Sequence, residues 1–374
     1  MKGEITLTLR FPRDILMHRL RKFQTLIKEK NIDAVMLRTL SSFIYFTGIK
    51  WLRPALLIPA DGDPIAFVAN GEEEGFLEKT WIKDVITYAE GGEVMAKVSG
   101  RVREEGYRVV GLEFGIERDA YILFYEMFKR LNPKVKVVDV SELIYELRMI
   151  KDNYELDSIR KAGEIASKAM EHVLSVIRIG MSETEIAAEI YHKLYNYGCE
   201  EPHVYVNVGP HPRIHSEPMR DNTVKDGVFV TIIIGADYNH YYTNMARTIY
   251  IGKPNDKAEK ALKCMDDVYD LAHKLTKAGV KPVDVMKEIE KIYAKHGLLS
   301  HRVKGYLHGV GLQVEEPPIT TIVPKHRFIE LKTGMVVAFV HAPTLIKGLG
   351  QVKKEDTFII NARGEPEKVT MKCE

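Results

Sequence analysis

A chain of 374 residues, 45% hydrophobic and 28% charged, is long enough for two domains with sizeable cores. Its net charge of +2 gives no general field for nucleic acid or an anionic membrane. No apolar run approaches the roughly 20 residues of a membrane span. The opening MKGEITLTLRFPRD lacks the apolar core of a secretory signal. A cytoplasmic protein with neither nucleic acid nor membrane as partner is therefore expected. The three cysteines, Cys199, Cys264 and Cys373, are far apart and form no CxxC pair. They read as buried or idle thiols rather than a zinc knuckle or a disulfide framework. Gln occurs three times while Lys and Glu abound, which leans toward a thermophile.

In chain order, Leu16 to Lys30 carries apolar residues at helical spacing (Leu20, Phe23, Leu26, Ile27). Ala34 to Leu37, Ala55 to Pro59, Ile65 to Val68, Arg108 to Leu112 and Val135 to Val138 read as strands. Helix and strand alternate, which predicts an α/β domain with a mixed sheet over residues 1–150. A polar KDN between Met149 and Asn153 punctuates two helical patterns and marks the boundary to a second domain, 151–374.

The second domain contains a repeat. RIGMSETEIAAEIYHKLYNYG and KAGVKPVDVMKEIEKIYAKHG superpose on a shift of 99 residues, Gly180 on Gly279, Glu189 on Glu288 and Gly198 on Gly297. Ser182 with Glu185 forms a capping box, Pro282 suits a first helical turn, and a glycine closes each helix. Each unit precedes sheet: GVFVTIIIGA from Gly227 parallels GMVVAFVHAP from Gly334. Two similar helix–helix–sheet halves with a crevice between them are expected.

With these elements in place the chain resembles the creatinase, aminopeptidase P and prolidase (Xaa-Pro dipeptidase) family. The segments are KFQTLIKEKNIDAVML followed by SSFIYFTGI, IYELRMIKDNYELDSIRKAGEIA, the hairpin GVFVTIIIGADYNHYYTNMART, LHGVGL and GQVKKEDTFII. The resemblance implies an N-terminal creatinase-like α/β domain, a C-terminal pseudo-two-fold "pita-bread" domain and a homodimer. It also implies a centre of two metal ions held by two Asp, one His and two Glu, suited to Mn, Co or Zn. The first position, six residues past Gly227, is Ile233; the second, three before Arg247, is Asn244. The histidine corresponds to His308 and the last glutamate to Glu355. The remaining glutamate falls on Val340 or His341. Strand alternation favours Val340, the repeat-mate of Ile233, as the inward residue.

Ile and Val offer no lone pair and Asn only a neutral carbonyl, so the degenerate set Ile233, Asn244, His308, Val340, Glu355 lacks about three negative charges. Desolvating two dications without them costs several kcal/mol each. The sequence thus favours a protein without the dinuclear Mn, Co or Zn centre, holding no ion and binding a small molecule or peptide in its crevice. Such a protein lacks normal metallopeptidase activity, and whether any catalysis survives is left open. One alternative is a one-metal hydrolase rebuilt on His308, His341 and Glu355, with one Zn or Fe ion, if a bulge turns His341 inward. The other is a conventional Xaa-Pro metallopeptidase that cleaves a C–N bond. His211 and His215, in HPRIHSEP, resemble family histidines that move protons or contact substrate. Glu316 keeps the family's acid in GLQVEEPP, while Glu315 stands in for a histidine. His211, His215 and Glu316 are the candidate catalytic residues; His308, Glu355, Asn244 and Glu315 are candidate binding residues. Ala246 and Val340 replace acids that creatinase uses, which disfavours creatinase activity. A buried Glu355 needs a partner, with Lys353, Lys354 and His308 as the choices. His240, Tyr241 and Tyr242 read as hairpin packing.

Overall fold

The computed structural model describes residues 9–51, 53–90, 92–115, 121–214 and 217–371. The chain divides into two compact units, Met1–Arg148 and Met149–Glu374. The first runs α1 (Arg13–Glu29), β1 (Ala34–Leu37), α2 (Leu40–Thr47), β2 (Leu56–Pro59), β3 (Ile65–Ala69) and α3 (Glu73–Leu77). It continues with β4 (Asp84–Tyr88), α4 (Glu93–Glu104), β5 (Val109–Leu112), α5 (Tyr121–Leu131), β6 (Lys136–Asp139) and α6 (Ser141–Met149). Its sheet has the order β4-β3-β2-β1-β5-β6. The β1–β2 and β2–β3 pairs are antiparallel and the others parallel, the mixed sheet expected from the alternating pattern. Met36, Leu57, Phe67, Val98 and Phe128 pack its core.

The second unit starts with α7 (Asn153–Val176), α8 (Glu183–Asn196), β7 (His203–Val208), β8 (Phe229–Tyr238) and β9 (Tyr241–Tyr250). Its other half comprises α9 (Asp256–Leu275), α10 (Pro282–Lys295), β10 (Leu307–Gly309), β11 (Glu316–Ile319) and β12 (Val336–Phe339). The chain then forms β13 (Thr344–Ile346), β14 (Gly350–Val352), β15 (Asp356–Ile360) and β16 (Pro366–Lys368). The two larger sheets of this unit are the antiparallel trio β7-β8-β9 and β11-β10-β12-β15-β16, and β13 and β14 form a separate antiparallel pair. Each larger sheet is backed by a helix pair. Ile165, Ala169, Met170 and Val173 on α7 meet Ile232, Ile234 and Met245. Ala261, Met265 and Val268 on α9 meet Val337, Phe339 and Phe358. The helical repeat has a local cause: Ser182 and Glu185 close a capping box on α8, and Pro282 opens α10. Gly198 and Gly297 follow these helices at φ 100° and 63°, a conformation open to glycine at little strain.

The two sheets are stitched along their inner sides. Ala246 and Glu355 exchange backbone hydrogen bonds of 3.0 and 3.1 Å. The Thr357 hydroxyl accepts from Asn244 N and donates to Asn244 O, both at 2.9 Å. The Thr231 hydroxyl donates to Gln351 O at 2.7 Å. Buried backbone and hydroxyl groups are thereby satisfied where the halves meet.

One expectation is overturned. Strand alternation favoured Val340 as the inward residue, but the regular strand stops at Phe339 and Val340 has φ 58°. Its amide donates to Tyr306 O at 2.6 Å, and its side chain joins the α9/α10 core beside Val337 and Phe339. A left-handed residue interrupts the pleat and shifts the parity of the residues after it, as a bulge does. His341 therefore takes the inward place that a regular strand would give Val340. A valine pays strain at positive φ, of order 1–3 kcal/mol, so the surrounding packing must enforce it.

The α8 cap should be measurable. Ser182→Ala is expected to cost about 1 kcal/mol, seen as a lower unfolding midpoint in urea, with Ser182→Asp close to wild type.

Candidate functional site

The site is assembled from four stretches of the second unit. Ile232, Ile234 and Met245 belong to the helix-backed core, so alternation turns Ile233, Asn244 and Ala246 to the inner face. Ile233 pairs across to Ala246, and Ala246 bridges to Glu355. His308 sits on β10 opposite Ala338, and His341 follows the left-handed Val340. The rings of His308 and His341 lie 4.6 Å apart and nearly perpendicular, at 80°. One ligand atom from each of His308, His341 and Glu355 falls within 4.8 Å of the others, and all three residues are buried.

Hydrogen bonding fixes how His308 is presented. Nδ1 lies 2.8 Å from Gly309 O, so it carries the proton and donates. Nε2 then faces Glu355 Oε1 at 3.2 Å and the Asn244 side-chain nitrogen at 3.2 Å. That nitrogen also donates to Val314 O at 2.8 Å, which sets the orientation of the Asn244 amide. An imidazole held by a carbonyl at Nδ1, with Nε2 turned to a carboxylate and a second imidazole, is the usual posture of a metal-binding histidine.

The charges balance locally. Glu355 Oε2 lies 2.9 Å from the Lys353 ammonium, with both side chains almost wholly buried. Of the three partners open to Glu355 on sequence, Lys353 and His308 meet it, while Lys354 reaches Asp266 at 2.6 Å. Burial works against the Glu355 charge, but Lys353, His308 and His341 more than compensate and hold its carboxyl far below the usual carboxylate range. Burial likewise favours a neutral His308, but the Glu355 carboxylate, helped by Glu315, outweighs it and raises the imidazole above its ordinary value.

The other candidates lie apart. Glu315 is partly buried, with Oε1 sealed from solvent and without a hydrogen-bond partner. Glu316 does not join the cluster; its Oε1 takes the Lys151 ammonium at 2.7 Å in a buried ion pair. His211 is exposed and lines a cavity of about 340 Å³ with Arg213, Asp221 and Asn222. His215 lies outside the described residues, as does Cys373. Cys199 and Cys264 are buried free thiols, pushed by that burial up to about 12 and about 11. His240, Tyr241 and Tyr242 are buried at the β8–β9 turn and the start of β9.

Sequence reasoning missed Glu183. At the first turn of α8 it reads as a solvated acid near a helix N-terminus. It is instead fully buried and accepts from Arg213, Val208 N (2.7 Å), Met219 N (2.9 Å) and the Asn222 side chain (2.7 Å). It anchors the loop that carries His211. Its only sequence signal is Arg213, thirty residues away.

Residues 157–362 match the model of metallopeptidase family M24, and residues 19–150 match the creatinase/prolidase N-terminal domain. The chain belongs to metallopeptidase family M24, in its creatinase and prolidase branch, and its second unit is the pita-bread domain of that family. It is 26% identical to an Xaa-Pro dipeptidase of Pyrococcus furiosus over 93% of this chain and 97% of that protein. An Xaa-Pro dipeptidase of Pyrococcus horikoshii is also 26% identical, over 94% and 96%. The solved prolidase of Pyrococcus horikoshii OT3 superposes with a TM-score of 0.85 at 25% identity, covering 95% of this chain and 98% of that one. No helix among the described residues is long and apolar enough to cross a membrane.

Because the folded-state pKa of His308 is raised, its pairing with Glu355 stabilises the fold fully below about pH 6.5. That contribution is lost as pH rises through the folded-state value. In chelator-treated protein the His308 NMR titration midpoint is expected above about 6.5 and should fall on Glu355→Gln. A midpoint unmoved by that change would remove Glu355 as the cause.

Proposed function

We propose that this protein is an Xaa-Pro dipeptidase-like member of its family that holds one divalent transition-metal ion and binds a peptide-like ligand on the inner face of the pita-bread domain. The observation that carries the reading is the left-handed Val340, which brings His341 beside His308 and Glu355. Two imidazoles and one carboxylate suit a single Zn or Fe ion with an open position. The donor set does not fit two ions. On the β8–β9 side the inward residues are Ile233, Asn244 and Ala246, which bring no carboxylate. One buried carboxylate, already shared with Lys353, does not offset two dications.

An ion held there would supply Lewis-acid polarisation of a bound carbonyl. The chain's own residues set the conditions around it. Gly309 O orients His308 through Nδ1, while Ile233 and Ala246 make one wall apolar and exclude water. Glu315, outside the cluster, still favours a charged His308 through space. Conventional two-ion hydrolysis of Xaa-Pro dipeptides is not expected. The metal-free reading has its own support, since both Glu355 oxygens already have cationic or imidazole partners.

Protein purified without chelator is expected to contain about one transition-metal ion per chain, with His341→Ala weakening ion affinity at least about tenfold. No ion under saturating Zn, Mn or Co would return the protein to the metal-free reading. Two ions together with rapid Xaa-Pro hydrolysis would make it a conventional member.

A further inference from the structure

We infer that Glu315, together with the unpaired side-chain oxygen of Asn244, receives a positively charged nitrogen of the ligand, so that the site selects peptide-like ligands carrying a primary ammonium or a guanidinium group. The inference deepens the peptide-ligand reading above and rests on it for where the ligand lies. It does not depend on whether an ion is bound.

Three observations carry it. First, Asn244 Oδ1 and Glu315 Oε1 are both sealed acceptors without a hydrogen-bond partner. Asn244 is 4% exposed. Its amide is held in this orientation because its nitrogen donates to Val314 O at 2.8 Å. Second, both belong to one patch of the inner face. A Cβ built on Gly235 would stand 3.4 Å from Asn244 Oδ1, from His203 Cβ and from Val314 Cγ1. Gly235 pairs with His203 and Asn244 and lies two residues along β8 from Ile233, so it shares the inward direction of Ile233. Glu315 follows Val314 directly. Its charge acts through space on His308, behind the larger effects of burial and Glu355, and on Tyr205, behind those of burial and Glu217. Tyr205 is the residue opposite Ile233. Third, no cation of the chain answers the carboxylate. Lys151 is taken by Glu316 and Lys353 by Glu355, and Glu315 forms no ion pair among the described residues.

A sealed acceptor without a donor is costly, and native chains keep few of them. Here both unpaired groups are acceptors, and one carries a negative charge. Their complement is a cation rich in N–H donors. An ammonium offers three donors and a guanidinium five, enough to meet a carboxylate and an amide oxygen together. A ligand carboxylate or phosphate at the same place would add like charge to acceptors that already lack donors. Glu315 is only partly buried, so a ligand reaches it from the open side. Tyr205 and Ile233, paired side by side, offer a ring and an aliphatic surface for the methylene stem of a basic side chain.

The test measures, by calorimetry on the full chain, the binding of lysyl-proline, of norleucyl-proline, which lacks the side-chain ammonium, and of N-acetyl-norleucyl-proline, which also lacks the terminal one. It uses chain stripped with chelator and chain reloaded with Zn²⁺, with circular dichroism to confirm folding. In whichever state binds, wild type is expected to prefer the cationic member of a pair by at least about fivefold. Preference for lysyl-proline over norleucyl-proline assigns the subsite to a basic side chain; preference for norleucyl-proline over its acetyl form assigns it to a terminal amine. Glu315→Gln and Glu315→Leu should each reduce that preference to within about twofold. Binding without charge preference, or a preference that survives in either folded replacement, overturns the proposal and leaves the peptide reading standing. No binding of any of the three defeats the peptide reading, and the proposal is then judged with n-pentylammonium chloride, followed at the His308 ring resonances by NMR. A saturable shift in wild type that Glu315→Gln abolishes supports it, and any other result overturns it.

Discussion

The seam between the two sheets of the second unit is the constraint on which the site depends. Ala246 and Glu355 exchange backbone hydrogen bonds, and the hydroxyls of Thr231, Thr248 and Thr357 tie neighbouring residues across the same line. These bonds set the inner residues of the β8–β9 hairpin against Glu355. The helix pairs behind each sheet supply the apolar burial that holds the seam shut. Function here is a matter of which side chains this seam presents.

Burial makes those side chains interdependent. A carboxylate as deeply buried as Glu355 stays ionised only because cationic and imidazole groups surround it. The same logic appears at Glu316 with Lys151, and at Glu183 with Arg213 and backbone amides. In each case breaking one partner leaves a charge that water cannot reach, at a cost of about 3–5 kcal/mol for a buried ion pair. Asp356, beside Glu355, is likewise enclosed by Arg247, Lys368, Tyr269 and Thr370. Its network holds the strand that delivers Glu355.

Much of this was legible in the residues. The helix–strand alternation of the first unit, the capped helices at Ser182 and Pro282 and the long β8–β9 hairpin follow from local chemistry. The inward direction of Ile233 and Asn244 follows from the strict period of a long strand. Position 340 was not legible, because β12 is only four residues long and a single left-handed residue ends its alternation. Nothing in the types Phe-Val-His announces positive φ at a valine, a residue that ordinarily avoids it. The choice of Lys353 rather than Lys354 as the partner of Glu355 was also hidden, since either can reach a neighbouring carboxylate until strand direction is known.

By itself, then, the sequence determined the family, the two-part architecture and the presence of Ile233 and Asn244 on the hairpin, with His308 and Glu355 elsewhere. These are local facts of residue type and period. Only the tertiary structure decided that His341 faces His308, that Lys353 neutralises Glu355 and that Glu183 is buried under its loop. Each of these depends on a contact between segments distant in the chain or on a backbone conformation imposed by packing. Residue preference is too weak to specify either, because a few kcal/mol of burial readily overrides it.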